Sequence, residues 1–183
     1  MKLTPVKKLV FTAVCAALCL VLPMAFHAVP NAGTIFLPMH IPVFLCGLIC
    51  GWPYGGVCGL IGPLISSLVT GMPPAAMLPS MMVECCAYGF VTGMLMRHVH
   101  TKHVVADLYI SLVSAMVVGR VVAGFAKAWI FTPGVPPFAW VTTSLVAGIP
   151  GIAIQLVLMP MVVFALTRAK LIPTRYPKEV THE

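Results

Sequence analysis

The sequence predicts an all-α membrane protein, a six-transmembrane-helix bundle with both termini cytoplasmic, and three observations lead there. The first is composition: of 183 residues, 60% are hydrophobic and 8% charged, with a mean hydropathy of +1.04. A soluble domain carries about 25% charged residues. The second is that the apolar residues gather into six runs, at about 8–26, 38–51, 53–71, 79–96, 105–131 and 139–167. Most approach the ~20 residues that a bilayer-spanning helix needs. The third is the placement of the cations. Lys2, Lys7 and Lys8 precede the first run, Arg97 and Lys102 separate the fourth from the fifth, and Arg168, Lys170, Arg175 and Lys178 follow the sixth. With Arg120 and Lys127 these make all eleven Lys and Arg, and the connections 27–37, 72–78 and 132–138 hold none. Six crossings with both ends inside therefore put every loop cation on the cytoplasmic side, as the positive-inside rule requires. The net charge of +7 is a topology signal, and no nucleic-acid partner is expected from it.

The first run follows its lysines as a signal peptide would, but no A-x-A site comes after it and further spans do, so it is expected to remain as a helix. The second run is short and meets the third at Gly51-Trp52-Pro53-Tyr54-Gly55-Gly56. Pro53 there suits the first turn of a new helix after a tight break; the alternative is that runs two and three form a re-entrant pair. Pro63 in the third run, and Pro150 and Pro160 in the sixth, predict kinks. Gly47, Gly51, Gly55 and Gly59 recur every four residues, a spacing that lets membrane helices approach closely. One compact integral-membrane domain, 1–183, is the natural size, and there is no inverted repeat of the kind found in secondary transporters.

Several chemistries are excluded. The sequence has no G-x-x-x-x-G-K-[ST] phosphate loop, no G-x-S-x-G elbow and no H-E-x-x-H zinc pair, so it is not expected to be an enzyme or a motor. The seven cysteines include no C-x-x-C pair; Cys15 with Cys19 and Cys46 with Cys50 fall at helical spacing in apolar runs, where a free thiol behaves as a small hydrophobe. His98, His100 and His103 lie between cations on a cytoplasmic connection without a carboxylate or thiolate to complete a ligand set. No metal or other cofactor is expected.

The polar groups inside the spans are few: Glu84 in the fourth run, Arg120 and Lys127 in the fifth, Gln155 in the sixth. A cation at a membrane-helix centre costs roughly 2.5–3.5 kcal/mol. Arg120 and Lys127, seven residues apart, share one helical face. At ~1.5 Å rise per residue, Arg120 lies roughly 16 Å and Lys127 about 6 Å below the outer end of the span, and Glu84 about one to two turns in. Between the cations sit Ala123 and Gly124, which mark either a groove or a helix–helix contact. Minus one from Glu84 and plus two from Arg120 and Lys127 leave plus one, which a single carboxylate would neutralise. The alternative is plain structure, with Lys127 snorkelling outward and Arg120 paired with Glu84. Charge within a membrane is a functional hypothesis by default, so a ligand site in the outer half is expected. Asn31, His40, Tyr88, Trp129 and Trp140 are further candidates near it; the tryptophans equally suit an interfacial belt. The connection His27–Pro38 carries no charge, and such a segment folds over a pocket as a lid or packs on the bundle as structure.

With six helices, an outer-half polar site and no motor, the chain resembles an S component, the substrate-binding membrane subunit of an energy-coupling factor (ECF) vitamin transporter. Two stretches carry the resemblance, which covers essentially the whole chain. One is Ala13-Val14-Cys15-Ala16-Ala17, similar to the A-x-x-x-A of the family's first helix. The other is "FLPMHIPVFLCGLICGWPYGGVCGLIGPLISSLVTGMPP" which, with "MMVECCAYGFVTGML", looks like small S components common in bacteria of the Firmicutes type. The resemblance implies a bacterial cell-membrane protein that captures a vitamin from outside. It implies docking through Ala13 and Ala17 on a transmembrane coupling protein driven by two ABC-type ATPases. It also places ligand contacts in the first external loop and helices 4–6, here Asn31, Glu84, Arg120, Lys127 and Gln155, with toppling of the S component carrying the site inward.

A net positive pocket favours a carboxylate vitamin. Pantothenate fits, with its acid on Arg120 or Lys127 and its hydroxyl and amide groups on Asn31, Glu84 and Gln155; folate, riboflavin and a queuosine precursor are the alternatives within the class. Outside it, a membrane scaffold of the cell-shape type would need neither the cation pair nor the loop. A membrane-embedded enzyme would use Glu84 and His40 as an acid–base pair.

Overall fold

The computed structural model describes residues 3–25, 32–131, 134 and 136–176. Among them there is no strand. The helices are α1 (Pro5–Ala25), α2 (Ala32–Phe36), α3 (His40–Cys50), α4 (Trp52–Thr70), α5 (Leu78–His98), α6 (Val104–Ala126), α7 (Pro137–Ala147) and α8 (Ile149–Arg168), with α6 continuing into a π-helical turn, Lys127–Phe131. Five are long and apolar enough to cross a membrane: α1, α4, α5, α6 with its extension, and α8.

The difference from six runs has two physical sources. The second run forms α3, whose 11 residues reach only ~16 Å of a ~30 Å hydrocarbon core. Nine of the eleven are buried, because α3 packs on α1, α4, α5 and α8; a helix apolar on every side belongs inside a bundle. The sixth run divides at Gly148. A side chain there would meet Arg120 Nη2 at 2.7 Å and the Ser144 carbonyl at 3.0 Å. Pro150 consequently falls in the first turn of α8, where its missing N–H is no loss: it starts a helix instead of kinking one. Pro63 and Pro160 do lie inside α4 and α8.

The break between α3 and α4 is where the sequence put it. Gly51 has φ +94°, a value that glycine alone adopts freely, and Pro53 sits in the first turn of α4. The glycines of α4 bring it onto α5. A Cβ built on Gly55 would strike the Gly89 carbonyl, one on Gly89 would strike the Gly55 carbonyl, and one on Gly59 would strike Cys85. The two backbones touch, as small residues in membrane helices permit.

The ends of the bundle differ in character. Cys50 Sγ donates to the Lys8 carbonyl at 3.6 Å and Cys19 Sγ to the Met39 carbonyl at 3.7 Å, so α3 runs antiparallel to α1. Lys7, Lys8, Arg97, Lys102, Arg168 and Lys170 flank the helix termini that meet at one end. Asp107, which sequence reasoning passed over, is fully buried there in the first turn of α6. Arg175 Nε donates to its Oδ2 at 2.6 Å, the Tyr176 hydroxyl donates to the same oxygen at 2.6 Å, and Thr101 Oγ1 donates to Oδ1 at 2.7 Å. Arg175 also donates to the carbonyls of Met96 and Val99. The segment after α8 is thereby clasped onto the α5–α6 connection. His98, His100 and His103 are exposed beside it, and no three His, Cys, Asp or Glu among the described residues are placed to hold a metal. All seven cysteines are free thiols, six of them buried.

Candidate functional site

At the opposite end of the bundle is a cavity of about 480 Å³, within the range of small-molecule sites. The end of α1, the start of α3, the end of α4, the start of α5 and the end of α6 all reach it, and α7 closes one side. His40, Glu84, Arg120, Lys127 and Trp140 are on its wall, so five of the residues singled out in the sequence converge from α3, α5, α6, the π-helical turn and α7.

Glu84 lies a turn from Tyr88, whose hydroxyl donates to Glu84 Oε1 at 2.5 Å. The i,i+4 spacing on α5 makes that pair. Tyr88 is 1% exposed and stands behind the wall, with its ring edge-on to His40 at 4.9 Å and its flank against Gly119, where a Cβ would collide with the ring. Arg120 is 3% exposed. Its Nη1 donates to the Ser144 carbonyl at 2.7 Å and stands 3.9 Å from Glu84 Oε1. The guanidinium is thus held mainly by the last turn of α7, at the negative end of that helix, through a carbonyl that also accepts from the Gly148 N–H at 3.1 Å, and only loosely by the carboxylate. Among the described residues two buried side-chain nitrogens have no hydrogen-bond partner, His40 Nε2 and Arg120 Nε, and both belong to the cavity wall.

Lys127 is the first residue of the π-helical turn and lies over the Trp140 ring, 5.1 Å from its centroid. Trp140 lines the cavity, while Trp129 is 72% exposed on the outside of the bundle. Of the two readings of Ala123 and Gly124, a groove or a helix contact, the contact holds at Gly124: a Cβ there would strike Val141 and come within 3.3 Å of Trp140. Gly124 thus packs against α7, Ala123 is buried beside it, and the open space lies elsewhere. Gln155 is off the wall as well. It is 1% exposed and its Nε2 donates at 3.2 Å to the carbonyl of Leu37, a wall residue at φ +51°, so it braces the link between α2 and α3. Asn31 lies outside the described residues. Ala13 and Ala17 are exposed on α1, on the face away from buried Cys15 and Cys19.

Sequence reasoning missed most of the apolar wall. Met39, Met72, Met77 and Met81 line it, with Pro73 and Pro74. The Pro-Pro dipeptide after α4 was the available signal, since it must form a connection and not a span.

Membrane-length helices enclosing a charged, ligand-sized cavity at one end define a multi-pass membrane protein equipped to hold a small molecule. The family model for the ECF transporter, substrate-specific component, matches residues 7–163, and the chain belongs to that family. No curated protein and no solved structure matches it. As a substrate-specific component it is a transport subunit and not an enzyme, and it works within a membrane alongside an ECF coupling protein and ATPases.

Proposed function

We propose that this chain captures a small vitamin carrying one carboxylate, the class to which pantothenate belongs, on the outer side of a bacterial membrane, with both termini cytoplasmic, as one unit spanning 1–183. The observation that carries this reading is the cavity itself: two cations, Arg120 and Lys127, share its wall with one carboxylate, Glu84, at the end away from the loop cations. Plus two and minus one leave plus one, the complement of a monocarboxylate. Cationic connections stay inside, which turns the cavity outward. In this reading α3 makes the sixth crossing, buried among its neighbours and shielded by them from lipid. The charges speak to the acid group alone; pantothenate is one of the vitamins that carries one.

The exposed Ala13 and Ala17 offer the coupling protein a close, weakly held contact. In membranes that also contain the coupling protein and its two ATPases, Ala13→Trp and Ala17→Trp should abolish ATP-driven uptake while leaving ligand retention by the purified subunit unchanged. Full uptake by both variants would overturn the docking assignment.

A further inference from the structure

The polarity of the cavity is one-sided, and this bears on the body of the ligand, given the reading that the site holds an anionic nutrient. The charged groups come from α5, α6 and the π-helical turn, with His40 at the head of α3. The ends of α1 and α4 and the α4–α5 connection contribute Met24, Met72, Pro73, Pro74 and Met77. α1 packs on α3 and α4, α6 packs on α5 and α7, and α5 lies between α4 and α6, so the apolar set and the two cations come from helices that barely touch one another, with Glu84 between them.

The four wall hydroxyls do not even the balance. Each donates its proton back to the chain beside it: Thr70 to the Ser66 carbonyl at 2.7 Å, Ser80 to Met77 at 2.9 Å, Thr143 to Ala139 at 2.7 Å and Ser144 to Val141 at 3.0 Å. The side-chain N–H groups that can meet a ligand's acceptors are therefore those of Arg120, His40 and Lys127 and the indole of Trp140, whose ring lies under Lys127. Arg120 Nε and His40 Nε2 are the buried nitrogens without partners, which places the demand for a hydrogen-bonding group at this same end.

We infer that the nutrient is an amphipathic monocarboxylic acid. Its acid group and any other acceptors lie together at the Arg120 end, and its remainder is an apolar ring or chain seated on the methionine and proline wall. An acceptor placed against that wall loses its water without gaining a donor, which lowers affinity about tenfold or more. A flat apolar ring gains instead from contact with methionine sulfur.

Three probes titrated calorimetrically into the purified full-length protein test this: indole-3-propionate, its primary amide, and pantothenate, whose amide carbonyl and hydroxyls run along its length. The acid should bind, with the amide and pantothenate each at least tenfold weaker. Met77→Gln, which puts an amide into the apolar wall, should weaken the indole acid and narrow its lead over pantothenate. Pantothenate binding as tightly as the indole acid, or more tightly, would overturn the amphipathic assignment and leave the acid-binding reading standing. Equal binding of acid and amide, or no binding of either acid, would overturn both.

Discussion

Arg120 shows how one side chain can be structural and still face a ligand. Its Nη1 donates to the Ser144 carbonyl and its Nη2 lies against Gly148, yet Nε has no partner among the described residues and the nearest carboxylate oxygen is 3.9 Å away. A buried pair tied off for stability alone would close to hydrogen-bond distance, as Arg175 and Asp107 do at 2.6 Å, because desolvation is offset only by good geometry. Arg120→Ala should therefore lower affinity for the retained acid more than tenfold, about 1.4 kcal/mol or more. Arg120→Lys keeps the charge but not the planar fork and should recover part of the loss. Both affinities are read by titration alongside a melting curve, and wild-type affinity in the alanine variant would contradict the role. The charges themselves were legible in the sequence, since an arginine in an apolar run stands out. What it touches was not: Ser144 and Gly148 are more than twenty residues away and look like any other helical positions. Asp107 was passed over for the opposite reason, lying at the edge of a run where charge is cheap.

At the level of helices, the site depends on the α4–α5 crossing, which sets where Glu84 stands relative to α3 and α6. Gly55 and Gly89 meet backbone to backbone, so Gly89→Leu must push the helices apart. At about 1–3 kcal/mol for an overpacked contact, melting should fall by roughly 2–12 °C. Gly56→Ala is the control, because its Cβ would meet only side chains at 3.9 Å. An unchanged melting temperature for Gly89→Leu, followed by size-exclusion in detergent, would show that the contact is not needed. The four-residue glycine spacing from Gly47 to Gly59 announced such a contact, and Gly89 and Gly93 on α5 repeat that spacing, but nothing in the sequence paired one set with the other. The split of the sixth run was hidden for a related reason. Hydropathy averages across Gly148, and the arginine that excludes a side chain there comes from another helix.

For the whole molecule, composition and cation placement were enough to identify a multi-pass helical protein with two unlike ends. The family match over residues 7–163 agrees with the resemblance carried by α1 and by the stretch from Phe36 to Pro74. Hydropathy could not show that the short second run sits at the centre, or that α7 turns inward to wall a cavity with Trp140, because both are facts of packing and not of sequence period. The central claim is that the end opposite the loop cations holds a single acid group in an excess of positive charge. Mass spectrometry of the small molecules released from the detergent-purified protein tests it most directly. A monocarboxylic acid should be released from the wild-type protein and be depleted from Arg120→Ala; release of only a cationic or neutral molecule, retained equally by both proteins, would contradict it.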